Sequence, residues 1–126
     1  VCIDKDTNKV SYAAANNAPL LVRNGEIVEL NADKMPVGIG ERKQDFELFE
    51  IDLNKGDSLY LYTDGFADQF GGPKGKKFMY KKMDELIRLN SFKPLQEQKE
   101  ILRSVFEDWK GDLEQVDDVC VIGIRF

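Results

Sequence analysis

Leu59-Tyr60-Leu61-Tyr62-Thr63-Asp64-Gly65 is a strand-like run that exits onto an acid and a glycine. Later in the chain, Asp117-Asp118 opens a second apolar run, Val119-Cys120-Val121-Ile122-Gly123-Ile124. If the two runs lie side by side and antiparallel, the exit of one and the entrance of the other share one end of a sheet. Their carboxylates then meet there, and hard divalent cations take oxygen ligands of this kind. Asp-Gly is also a common hairpin dipeptide, yet the residues that follow, Phe66-Ala67-Asp68-Gln69-Phe70, do not read as a second alternating strand. Asp117 and Asp118 open a solvated turn on the plainer reading. Adjacent carboxylates repel, however, and a bound cation offsets that cost. Asp112 and Glu114 add to the acidity of the same loop.

Outward from these runs, the first half of the chain reads as strands and turns. Val1 to Ile3, Lys9 to Ala15 and Phe46 to Leu53 are strand candidates. Leu20 to Arg23 and Ile27 to Leu30 flank Asn24-Gly25, a hairpin signal because a type I′ turn needs positive φ at both central positions. Pro36 to Gly40 reads as a loop, and Asn54-Lys55-Gly56-Asp57 as a turn into the Leu59 strand. The second half turns helical. Met79, Met83, Leu86 and Ile87 repeat at helical spacing between Phe78 and Asn90. A second amphipathic helix starts at Pro94, taken as its first helical position, and carries Ile101, Leu102, Val105, Phe106 and Trp109 toward a stop at Gly111. Val116 to Phe126 returns to strand. Strands, two helices and a closing strand predict an α+β domain, with a largely antiparallel sheet and helices on one face.

Composition bounds the chemistry. The chain has 126 residues, 42% hydrophobic and 33% charged, with a net charge of −5, which fits one soluble globular domain and disfavours nucleic-acid or anionic-membrane partners. No apolar stretch is long enough to cross a bilayer, so no membrane contact by this segment is expected. Cys2 and Cys120 both sit in apolar runs and are expected to be reduced core residues of a cytoplasmic protein. With no histidine, Ser-His-Asp and Cys-His schemes and histidine zinc sites are excluded. Gly71-Gly72-Pro73-Lys74-Gly75-Lys76 lacks the Ser/Thr of a phosphate-cradling loop and reads as a flexible loop. Lys74, Lys76, Lys77, Lys81 and Lys82 form the one basic concentration, read as a solvated face ahead of a patch for an acidic or phosphorylated partner. What remains for an enzyme is metal-assisted chemistry through aspartates and water.

Several motifs then fall into a familiar order. Tyr12-Ala13-Ala14-Ala15-Asn16-Asn17-Ala18-Pro19-Leu20, Met35-Pro36-Val37-Gly38, Lys55-Gly56-Asp57, Leu61 to Asp68 and Val116-Asp117-Asp118-Val119 resemble the bacterial metal-dependent serine/threonine phosphatases of type 2C, in their SpoIIE-like subgroup. The resemblance covers nearly the whole chain. It implies a β-sandwich with flanking helices, truncated at its N-terminus, so that residues 1–126 are a single domain forming the C-terminal portion of a phosphatase domain.

The resemblance also implies a site. Asp64, Gly65 and Asp117 fall on metal-binding positions, with Asp118 and Asp68 supporting, and two Mn²⁺ or Mg²⁺ ions are expected in the complete domain. The implied reaction is attack of a metal-activated water on phosphoserine or phosphothreonine of a regulatory protein, such as an antagonist of an anti-sigma factor. Implied partners are that phosphoprotein and an upstream sensor or receiver domain in the same chain; a homodimer over exposed strand edges is left open. Two departures stand out. The family's aspartate followed by Gly-His-Gly has no counterpart, and Ala14 stands where relatives often carry glycine. Alone, this segment is therefore expected to lack part of the bimetal site and to turn over poorly. The alternative is a catalytically inactive phosphatase-like module that binds or regulates.

Overall fold

The Asn24-Gly25 turn lies in the largest of three sheets in the computed structural model, which describes residues 1–38 and 44–126. Asn24 has φ 52° and Gly25 φ 80°, the pair of positive values that joins β3 (Leu20–Arg23) to β4 (Glu26–Val28). The preceding strands are β1 (Cys2–Asp4) and β2 (Lys9–Tyr12); β5 (Phe49–Asp52) and β6 (Ser58–Tyr62) follow. A one-turn helix α1 (Gly65–Asp68) leads into the short hairpin β7 (Phe70–Gly71) and β8 (Lys76–Lys77). Two longer helices, α2 (Tyr80–Asn90) and α3 (Leu95–Lys110), precede the closing strand β9 (Val121–Arg125).

The strands form an antiparallel three-stranded sheet, β1-β2-β5, and an antiparallel four-stranded sheet, β4-β3-β6-β9. Alternation along β3 and β6 divides the core into two layers. Leu21 and Leu59 face the three-stranded sheet, where they meet Val10, Tyr12 and Ala14. Leu20, Val22 and Tyr60 face the helices, against Phe66, Phe78, Met83, Ile87 and Phe106. Phe66 packs on Phe78 and Phe106 with ring centroids 5.1 Å apart in both pairs, a spacing that adds to burial. The expected sandwich with flanking helices is what forms. No helix among the described residues is long and apolar enough to cross a membrane.

Several elements differ from the expectation. Phe46 to Leu48 is not strand, and Phe46 and Leu48 are exposed. The β2 strand stops at Tyr12, short of Ala15, and Val116 to Cys120 is not strand either. Pro94 is the N-cap rather than the first helical residue, with an extended ψ of 142°. The glycine-rich stretch from Gly71 to Lys76 is the turn and flanks of β7–β8 rather than a flexible loop. Of the expected loop at Pro36 to Gly40, Ile39 and Gly40 lie outside the described residues. Both cysteines are free and exposed, against the expectation of a core role. The cause is position: Cys2 lies on the edge strand β1 and Cys120 just before the edge strand β9, while the two larger sheets pack over Leu21 and Leu59 in the interior strands.

One buried ion pair secures the turn expected at Asn54 to Asp57. The Asp57 carboxylate is 1% exposed. It receives the Arg23 guanidinium through Nε at 3.1 Å and Nη2 at 2.6 Å, and the Asn54 amide at 2.9 Å. Burial by itself pushes the Asp57 carboxyl up, but the bonds from Arg23 and Asn54 and the guanidinium charge hold it below its usual 3.8. Arg23→Ala strands that charge, and breaking a buried pair from one side costs about 3 kcal/mol. In the wild type, a depressed carboxyl contributes stability above pH ~4 that is lost as the pH falls through its folded value. In Arg23→Ala burial, the largest influence on this group, is opposed only by the Asn54 bond, so protonating Asp57 relieves rather than costs. The gap between urea midpoints of the two proteins therefore narrows from pH 7 to pH 3; a gap that widens contradicts this account.

Candidate metal centre

The two acid-tipped runs are neighbours. β6 and β9 pair antiparallel over five residues, from Ser58 opposite Arg125 to Tyr62 opposite Val121. Pairing continues past the strands through Thr63. Its amide donates to the Cys120 carbonyl at 3.1 Å, and its hydroxyl donates to the Asp118 carbonyl at 2.8 Å and accepts the Cys120 amide at 3.0 Å. One small side chain thus fastens the exit of the first run to the entrance of the second.

Gly65 completes the junction. A Cβ there would stand 2.5 Å from the Asp118 carbonyl oxygen and 3.0 Å from its carbon, so the backbone after Asp64 rests directly on the backbone of Asp118. Any side chain at Gly65 drives the two acidic segments apart.

Each carboxylate has a defined setting. Asp64 is the N-cap of α1 in helical geometry (φ −71°, ψ −18°), and its side chain makes no capping bond; the carboxylate is exposed at the strand end. Asp117 is exposed and takes the Asp118 amide on Oδ1 at 2.7 Å, while its carbonyl accepts the Gln115 side chain at 2.8 Å. Asp118 is also exposed and joins the site through its backbone. Asp68 turns to Lys77, 3.1 Å away. The structure brings Asp64, Gly65, Asp117 and Asp118 to one end of the sheet, with Asp68 at the far end of α1.

Two neighbours of this end, Tyr80 and Asp84, escaped the sequence reading, and Asn17 and Tyr62 entered it only within longer motifs. The Tyr80 hydroxyl accepts Asn17 Nδ2 at 3.4 Å; burial raises its pKa, the Asn17 bond opposes this, and the negative charges of Asp64 and Asp68 raise it further. Tyr62 is pushed up to about 12 by burial first and by the charge of Asp84 next, so it stays protonated and faces Asp84 at 3.5 Å. Burial raises the Asp84 carboxyl. Asn17 could have been suspected from Asn16-Asn17-Ala18-Pro19; Tyr80 and Asp84 carry no local signal. All five clustered lysines are exposed, and two of them have partners nearby. Lys77 pairs with Asp68, and Lys82 lies 4.1 Å above the Trp109 ring, a cation–π contact.

The donor chemistry suits a hard cation. Asp64 and Asp117 offer exposed carboxylate oxygens, and the bare Cα of Gly65 lets their segments close up. Among the described residues no group of three or more Asp, Glu, Cys or His side chains converges, so these acids do not by themselves make a metal shell.

Comparison with known proteins places this geometry. The chain is similar to the SiaA-PP2C domain of Pseudomonas aeruginosa, with a TM-score of 0.87 and 28% identity, over 98% of this chain and 49% of that one. It is also similar to a structure holding the PP2C phosphatase domain and a fragment of the regulatory domain of the cell fate determinant SpoIIE from Bacillus subtilis. There the TM-score is 0.74 at 21% identity, over 98% of this chain and 36% of that one. An Mn-presoaked structure of the phosphatase domain from the same protein superposes with a TM-score of 0.66 at 19% identity, over 98% and 53% of the two chains. The chain thus spans about half of these structures or less, and the two Bacillus likenesses speak for the fold. No curated protein matches in sequence. The family described as Stage II sporulation protein E (SpoIIE) matches residues 1–126, and the chain belongs to that family.

Proposed function

We propose that this chain contributes the later ligands of a metal-dependent serine/threonine phosphatase centre acting on a phosphorylated regulatory protein in signalling. The observation that carries the reading is the β6–β9 register, which sets Asp64 and Asp117 at one sheet end with Gly65 seated on Asp118. Asp64 and Asp117 would hold Mn²⁺ or Mg²⁺. What a divalent cation supplies to such a site is an acidified water and neutralisation of charge on a phosphoryl group.

The chain's own residues do the positioning. Thr63 and Gly65 keep the two acidic segments in register. Asp118 holds one Asp117 oxygen through its amide, leaving the other free. Tyr80, kept protonated by burial and by the neighbouring acids, presents a neutral hydroxyl beside them that can donate to an anionic ligand.

The test is hydrolysis of p-nitrophenyl phosphate by the full-length protein, with and without Mn²⁺, alongside calorimetric titration of Mn²⁺. The expected result is activity that requires the ion, with saturable binding. Binding without turnover would favour the alternative, a regulatory module that keeps the fold, and absence of specific binding would sink the metal reading.

A further inference from the structure

We propose that Gln69 is the positioning residue that fixes the Asp117-bearing segment against the Asp64 end of the site; this rests on the metal-centre reading above. Gln69 follows α1 directly and is fully buried. Its side-chain amide is bonded on both sides. Oε1 accepts the Val116 amide at 3.3 Å, and Nε2 donates to the carbonyls of Glu114 at 2.9 Å and Phe70 at 3.0 Å. Its own carbonyl accepts Trp109 Nε1 at 3.1 Å and the Phe78 amide at 2.9 Å. Bonds from α3, from the segment before α2 and from the 114–116 loop therefore converge on one residue.

The loop depends on that residue. Glu114, Gln115 and Val116 are exposed, so their side chains contribute little packing. Among the described residues no other hydrogen bond joins the Glu114–Val116 backbone to the rest of the fold. The Gln69 amide takes the carbonyl and the amide on either side of Gln115, the pair a neighbouring strand would take. Asp117 thus lies between two clamps, Gln69 before it and Thr63 after it. Apolar packing alone does not need an amide here; leucine or methionine would fill the space without the desolvation that a buried amide brings. A fully bonded buried amide instead fixes geometry, because each of its bonds has a set direction.

Sequence alone hides this role. Gln69 is one polar residue in Asp68-Gln69-Phe70, and its loop partners Glu114 and Val116 lie 45 and 47 residues downstream.

The experiment is Mn²⁺ titration of the full-length protein as wild type, Gln69→Met, Gln98→Met and Asp117→Asn. Gln98 is the other buried glutamine, bonded to Tyr60, Ser91 and Lys93 on the α3 side. Its variant carries the general cost of losing a buried amide. Gln69→Met is expected to weaken Mn²⁺ binding by about 10- to 100-fold, the scale seen when a support of a metal ligand is lost. Its phosphatase rate should recover toward wild type at saturating Mn²⁺, while Gln98→Met binds as wild type. Loss in Asp117→Asn with none in Gln69→Met, or equal losses at the two glutamines, overturns the positioning role. Wild-type binding in Asp117→Asn removes the metal reading itself, and the proposal with it. Hydrogen exchange on the unaltered protein gives a check free of folding defects. The Val116 amide is expected to exchange slowly although its residue is exposed; rapid exchange overturns the clamp.

Discussion

On the proposed metal reading, Asp64→Asn and Asp117→Asn are each expected to lower phosphatase activity of the full-length protein by about 100-fold or more while leaving its melting temperature near that of the wild type. Asparagine keeps the size and one carbonyl oxygen of aspartate but removes the charge that a hard cation needs. Neither carboxylate is buried, so neither substitution opens a cavity. In Asp117→Asn the side-chain oxygen can still accept the Asp118 amide, bonded at 2.7 Å in the wild type. Losing one well-placed electrostatic group costs about 3 kcal/mol of transition-state stabilisation, and each 1.36 kcal/mol is about tenfold in rate. Rates of p-nitrophenyl phosphate hydrolysis over an Mn²⁺ series, set beside thermal melts, decide the matter. Two variants that turn over like the wild type would remove both residues from the centre.

Gly71→Ala destabilises the fold by about 3 kcal/mol, at the upper end of the usual cost of overpacking. A Cβ at Gly71 would fall 1.8 Å from the Trp109 carbonyl oxygen, 2.5 Å from its carbon and 2.7 Å from Cδ1 of its ring. Two of these atoms are backbone in the last turn of α3 and cannot swing aside. The methyl has to part the β7–β8 hairpin from the helix. That breaks the Gly72 amide bond to Trp109, 2.8 Å long, and loosens the indole bond to Gln69. Gly75→Ala is the control. Gly75, unlike Gly71, has positive φ, 56°, but nothing lies within 4 Å of its added Cβ, so it bears about 1 to 2 kcal/mol of backbone strain alone. Urea midpoints rank the two, and a Gly71→Ala midpoint at or above that of Gly75→Ala contradicts the account.

What was legible in the sequence was local or periodic. Asn24-Gly25 announces its turn because few dipeptides accept two positive φ values. The helices show through the spacing of Met83 and Ile87, and of Leu102, Phe106 and Trp109. The acidic strand ends were readable as candidates because charge at the tip of an apolar run is conspicuous. Their juxtaposition depended on a pairing that only the sheet order supplies. The features that stayed hidden share one cause. Gln69, Gly71 and Lys82 owe their roles to Trp109 and the 114–116 loop, far along the chain. The cysteines were misread for the same reason: an apolar run suggests a strand, but where that strand begins and whether it lies at the edge are properties of the whole sheet.

The β6–β9 ladder also bears on the order in which the molecule acquires its shape. The β3–β4 hairpin and the α2–α3 pair join segments close in sequence, and such contacts close quickly. The ladder joins residues 58–62 to residues 121–125 across both long helices, and bringing distant segments together carries a chain-closure entropy that local contacts escape. The meeting of Asp64 and Asp117 depends on that distant pairing. A chain with its helices already wound but its final strand undocked therefore has much of its secondary structure but not the proposed metal centre. Recovery of metal binding during refolding should accordingly lag behind recovery of helical signal.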